Sequence, residues 1–154
     1  MAVLVTWNVA GRVARAREQA DLVAGAGADV ICLQELTPAT AVVWADCLAA
    51  AGYATAVADL PRVRESSRPL GVMTAARSTP EPRPVADVPW PERVLAASVD
   101  GVEVVNVHSP ISPKPGLAKV LTHEAVYRHV ARGSGPRLVC GDLNTPRREH
   151  PDGT

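Results

Sequence analysis

The chain has 154 residues, 47% of them hydrophobic and 21% charged, with a formal net charge of +0. Such a length and balance describe one folded domain with a core of its own and exclude a disordered polypeptide. Neutrality also excludes a global field that would draw the protein onto nucleic acid or a membrane, so any anion binding has to be local. Cys32, Cys47 and Cys140 form no C-x-x-C pair and read as small buried hydrophobes. The N-terminal "MAVLVTWN" lacks the basic region of a signal peptide, and no apolar stretch reaches transmembrane length. The reading is therefore cytoplasmic.

Val3–Trp7 is a short β-prone run, followed by "NVAGR". In "RVARAREQADLVAGAGA" the spacing of Val13, Ala16, Ala20 and Val23 predicts a helix that ends at glycines. "DVICLQE" reads as a buried strand, and "PATAVVWADCLAAAG" as a second helix opened by Pro38 and closed by Gly52. "YATAVAD" and "LGVMTAAR" read as strands separated by the polar loop "PRVRESSRP". "STPEPRPVADVPWPER", with five prolines, predicts an extended surface connection. "VLAASVDGVEVVNVHSP" predicts a hairpin turning at Asp100-Gly101. "GLAKVLTHEAVYRHVARG" predicts a third helix, "RLVCGDLN" a last strand, and "PRREHPDGT" a polar tail. Strands alternate with helices and then pair as a hairpin, which makes the class α/β with mixed sheets.

Four of the apolar runs finish in a polar side chain able to bind metal or phosphate. "VLVTWN" ends in Asn8, "VICLQE" in Glu35, "VEVVNVH" in His108, and "LVCGDLN" in Asp142 and Asn144. Turn chemistry calls for Gly, Asn, Asp or Ser at such places, not for a Glu and a His. In sheets covered by helices the carboxyl ends of strands are where ligands sit. Glu35 and the Asn8 carbonyl are hard oxygen donors, suited to Mg²⁺ or Mn²⁺ rather than zinc. His108 can donate to a phosphoryl oxygen, Asp142 can orient a water, and Asn144 beside it can contact phosphate. Gly141 is expected to clear space for an approaching substrate.

"TWNVAGR", "ICLQE", "LGVMTAAR", "VEVVNVHSP" and "LVCGDLN", in this order, resemble the successive motifs of the endonuclease/exonuclease/phosphatase superfamily. The resemblance implies the deoxyribonuclease I-like sandwich of two mixed β-sheets flanked by helices, over residues 1–148, with 149–154 as a polar tail. It implies an Mg²⁺-dependent phosphodiesterase or phosphomonoesterase, with Asn8 and Glu35 at the metal. His108 is then the phosphate-contacting histidine, and Asp142 and Asn144 the water-activating and phosphate-binding pair. Family members close with an Asp-His pair well beyond "GDLN", whereas here Thr154 comes first and His150 lacks the preceding Asp. The chain is thus expected to hold an N-terminal portion of the fold with the second sheet incomplete. "RLVCGDLN" would open that second sheet, Val3 through Val107 would form the first, and Leu138 and Val139 would lie on an unpaired edge.

Other residues read as ordinary structure. His123 and His129 fall on the third helix as surface or packing residues. Arg12 and Arg77 could meet an anionic substrate but belong to an arginine-rich chain, and Arg12 is kept as the substrate-binding candidate. The leading reading is a metal-dependent phosphoesterase acting on a phosphoester whose class the sequence does not specify; neutral charge argues against a general nuclease. The alternative is a catalytically inactive truncated homologue that binds metal, phosphate or a partner. A self-associating or complementing chain follows from the incomplete sheet. No G-x-G-x-x-G or Walker A sequence supports a nucleotide-binding module.

Overall fold

The computed structural model describes residues 2–60, 70–111 and 117–145. The loop "PRVRESSRP" lies outside them up to Arg68 and Pro69, as does the tail that carries His150. The described elements run in chain order as β1 (Leu4–Asn8), α1 (Ala16–Gly25), β2 (Val30–Leu36), α2 (Pro38–Ala50), β3 (Ala54–Val57) and β4 (Gly71–Ala76). They continue as β5 (Glu81–Arg83), a 3-10 turn at Pro91–Arg93, β6 (Val94–Val99), β7 (Val102–His108), α3 (Ala118–Arg132) and β8 (Arg137–Asp142). Two four-stranded mixed sheets result, ordered β1-β2-β4-β3 and β5-β6-β7-β8.

The sheets pack face to face, with helices on their outer faces. Period-two alternation decides which side chains go where. From β2 and β4, Ile31, Leu33, Met73 and Ala75 point outward and bury Ala16, Ala20 and Val23 of α1 with Trp44 and Leu48 of α2. From β6 and β7, Val94, Ala96, Val105 and Val107 meet Val126 of α3. Helix α2 starts on a capping box in which Thr37 and Thr40 satisfy each other's backbone, with Pro38 in the first turn. The Asp100-Gly101 turn has φ of 48° and 81°, the left-handed pair a two-residue hairpin needs.

Two expectations are corrected here. The hairpin β6–β7 belongs to the second sheet, not the first, and β8 joins it parallel to β7. The inner face of the first sheet is therefore covered by β6 and β7 rather than left bare. The proline-rich connection also contains a strand, β5, which sits at the sheet edge, where a missing N–H is tolerated.

Between the sheets the layer is partly polar. Fully buried Asn106 on β7 donates to the Leu33 and Met73 carbonyls at 3.2 and 2.9 Å and accepts from Gln34 Nε2 at 2.8 Å. Gln34 also donates to Thr6 and to the Cys32 carbonyl, both at 3.1 Å. These bonds tie β1, β2, β4 and β7 into one register and satisfy groups that burial would otherwise penalise. The expectation of an unpaired edge holds among the described residues: β8 pairs only with β7, and Leu138 and Val139 are 42% and 41% exposed.

Candidate active site

The carboxyl ends of β1, β2, β7 and β8 meet at one rim of the sandwich. Parallel pairing of β7 with β8 sets His108 opposite Asp142, so both side chains face the first sheet. Parallel pairing of β1 with β2 sets Asn8 opposite Gln34, immediately before Glu35. A register shift between Leu33 and Leu36 breaks the β2–β4 ladder there, and Glu35 takes φ of +62°. Such a bulge re-aims a side chain, and a left-handed non-glycine residue is strain that functional sites concentrate. Without it Glu35 would follow the alternation of β2.

Asn8 lies at the centre. Its Nδ2 donates to Glu35 Oε1 at 2.9 Å and to Asp142 Oδ2 at 2.7 Å, while its Oδ1 accepts from the Ala10 amide at 2.9 Å. One carboxamide thus joins acids that are 107 residues apart along the chain, Glu35 and Asp142. Glu35, His108 and Asp142 each offer a ligand atom, and these atoms lie within 4.8 Å of one another. His108 is 1% exposed, and neither ring nitrogen has a hydrogen-bond partner among the described residues; Nε2 stands 3.6 Å from Glu35 Oε1. Burial lowers its pKa from 6.5 to about 4, aided by the charge of Arg93 and opposed by Glu35 and Asp142. The imidazole is neutral at pH 7.

Asn144 sits at φ +48° at the end of "GDLN". Its backbone amide donates to Asp142 Oδ1 at 3.0 Å and its Nδ2 to the Ser109 carbonyl at 2.6 Å. Asn8, Glu35, His108, Asp142 and Asn144 are therefore brought together. Arg12 is not part of that cluster: it is exposed in the loop after β1, and its guanidinium makes no hydrogen bond or ion pair with the described residues. Arg77 stacks over Tyr53 at 3.9 Å and donates to the Ala51 carbonyl. The role expected of Gly141 is corrected. At φ +129° its added Cβ would lie 2.0 Å from the Val107 carbonyl oxygen, so the close neighbour is the adjacent strand rather than a substrate.

Sequence reasoning missed Arg93 beside His108, and Lys119, Ser109 and His123 around Asn144. Only adjacency to His108 signalled Ser109, and the helical residues carried no local signal at all.

The endonuclease/exonuclease/phosphatase family model matches residues 5–152. The chain belongs to that family. No curated protein matches the sequence. Among solved structures, an AP endonuclease from Archaeoglobus fulgidus is similar over 98% of this chain and 60% of its own, with a TM-score of 0.76 and 20% identity. The 3' phosphatase NExo from Neisseria, bound to a product DNA hairpin, has a TM-score of 0.73 and 26% identity over 94% of this chain and 58% of its own. TDP2 from Caenorhabditis elegans has 0.64 and 16% over 94% and 48%. This endonuclease/exonuclease/phosphatase chain thus spans 60% or less of the length of these three structures. No helix of the described residues is long and apolar enough to cross a membrane.

Proposed function

We propose that this chain carries the metal- and phosphate-binding centre of a phosphoesterase that depends on Mg²⁺ or Mn²⁺. The observation that carries the reading is the convergence of Glu35 and Asp142 on the buried imidazole of His108, neither nitrogen of which has a hydrogen-bond partner among the described residues. Two carboxylates held by one amide leave negative charge that a cation would offset. Carboxylate and carboxamide oxygens suit a hard ion, and the cluster lacks the thiolates or several histidines of a zinc site. Glu35 would hold the ion, and Asn8 would join it by turning its carboxamide so that Oδ1 faces the carboxylates. The ion, when bound, supplies polarisation of the phosphoryl group.

The chain's own residues do the rest. Asp142 orients the attacking water, with one oxygen steadied by the Asn144 amide. Neutral His108 donates to a phosphoryl oxygen, and Asn144 contacts the phosphate beside it. Arg12 meets the anionic substrate from the loop. A nucleic-acid 3' phosphate is the first substrate to test, because the Neisseria structure at 26% identity is described as a 3' phosphatase bound to DNA. The unpaired cysteines support a reducing, cytoplasmic setting.

Calorimetric titration with MnCl2 is expected to give weak binding that Glu35→Gln abolishes. Hydrolysis of an aryl phosphodiester should be slow, require Mn²⁺ and vanish in Asp142→Asn. Tight zinc binding with no response to Mn²⁺, unchanged in Glu35→Gln, would overturn the assignment, as would robust metal-independent hydrolysis. A second reading is binding without turnover, since Glu35, His108 and Asp142 could hold an ion whether or not hydrolysis follows. Mn²⁺ binding with no hydrolysis would decide for it. The edge of β8, which pairs with no further strand among the described residues, and an open groove of ≈ 260 Å³ lined by Val126, Tyr127, Val130, Val139 and Leu143 support self-association or a complementing chain. Sedimentation giving a clean monomer would refute self-association.

A further inference from the structure

We infer that Lys119 and His123 on α3 are positioning residues that hold the Asn144 turn, and through it Asp142, in the geometry of the site; the inference rests on the reading of Asp142 given above. Lys119 Nζ donates to the Asn144 carbonyl at 2.6 Å, reaching across 25 residues of sequence. His123 Nε2 and Ser109 Oγ are 2.9 Å apart, and the Ser109 carbonyl accepts from Asn144 Nδ2 at 2.6 Å. Ser109 also donates its backbone N–H to the Asp142 carbonyl at 2.8 Å. The carbonyl, side chain and amide of Asn144 are thus all committed, the last to Asp142 Oδ1 at 3.0 Å.

Such a clamp is needed because Asn144 sits at φ +48°, a strained conformation for a non-glycine residue that its surroundings must hold. The turn follows a strand that, among the described residues, has one neighbour, so the ladder supplies little restraint beyond Asp142. Helix α3 supplies it instead. Lys119 and His123 are one turn apart and lie on the face of α3 turned to this end of β7 and β8. Two groups on one rigid helix fix both sides of the turn: Lys119 directly, His123 through buried Ser109. If Lys119 is removed, Asn144 can relax from the left-handed region, and Asp142 Oδ1 loses its amide donor.

Two readouts test this on the whole chain: exchange of the Asn144 backbone amide with solvent by NMR, and Mn²⁺-dependent hydrolysis of an aryl phosphodiester. Lys119→Met should slow that hydrolysis by up to about a hundredfold, as a displaced catalytic group does. It should also speed Asn144 exchange while leaving the unfolding midpoint within a degree or two. Lys119→Arg, which keeps a donor, should restore most of both. His123→Ala should speed exchange more weakly, and it stands in if Lys119→Met does not fold. Unchanged Asn144 exchange in both variants would overturn the clamp. Faster exchange with hydrolysis unaltered by Asp142→Asn would uphold the clamp and instead overturn the role given to Asp142.

Discussion

His108 makes stability depend on pH in a window that can be isolated. Its ring is 1% exposed, with neither nitrogen hydrogen-bonded among the described residues. Burial first, and Arg93 second, lower its pKa from 6.5 to about 4. Between those values the unfolded chain binds a proton that the folded chain refuses, so falling pH favours unfolding. The contribution is complete above about pH 6.5, declines as pH falls, and is exhausted below about pH 4. At about 1.4 kcal/mol for each pH unit, the loss across the window is about 3 kcal/mol, a large fraction of a domain's usual margin. Urea unfolding at pH 7.5, 6.5, 5.5 and 4.5 would measure it, with His108→Leu as the reference that keeps an apolar side chain of similar volume. The wild type should lose stability relative to that variant as pH falls, and above pH 7 the variant should be at least as stable, having no unpaired nitrogens. Parallel pH profiles for the two proteins would refute the argument, because they would mean that the ring takes up its proton in the folded state as readily as in the unfolded one.

Other expectations follow from particular contacts. Gly141→Ala forces a Cβ to within 2.0 Å of the Val107 carbonyl, so either β8 shifts or the chain fails to fold; a midpoint within a degree of wild type in thermal unfolding would contradict this. Asn106→Ala takes the side-chain donor from the Leu33 and Met73 carbonyls and one of three acceptors from Gln34 Nε2, and should cost about 3 kcal/mol in urea unfolding, the penalty of lost buried hydrogen bonds. For Glu103, burial raises the carboxyl pKa, but the Arg137 and His129 hydrogen bonds outweigh it and the net shift is downward. Its stabilising contribution is therefore present above the ordinary carboxylate pKa and is lost as pH falls through the lowered one. Glu103→Gln should flatten the acid limb of the stability curve below about pH 4, and no change in that limb would discount the pair.

Much of the fold was legible because its signals are local. Alternation in "VEVVNVH", the Asp100-Gly101 turn, and Pro38 with Gly52 around α2 each act within a few residues, and the elements formed there. Sheet membership was not legible, since whether β6–β7 joins β4 or β8 depends on partners 20 to 40 residues away, and those partners are chosen by burial of both faces. The site's residue types could be read at strand ends for the same local reason. Their mutual geometry could not. Nothing in "VTWNV" says that the Asn8 amide bridges two acids, or that its oxygen is taken by Ala10. Gly141 was misread because a ligand and a neighbouring strand call for the same missing Cβ.

The same geometry explains why the site and the sandwich depend on each other. Glu35 comes from the first sheet and Asp142 and His108 from the second, so the cluster exists only when the sheets are docked. What docks them in register is the Gln34–Asn106 tie, one residue before Glu35 and two before His108. A one-residue slip of β7 would turn His108 to the α3 side and place Val107 in the site. Such a slip would also break the Asn106 bonds, whose carbonyl partners come from two different strands, Leu33 on β2 and Met73 on β4. A purely apolar layer would tolerate several packings at similar energy. A fully satisfied polar one selects a single arrangement, and that is the arrangement in which two acids and a neutral histidine, from both sheets, converge.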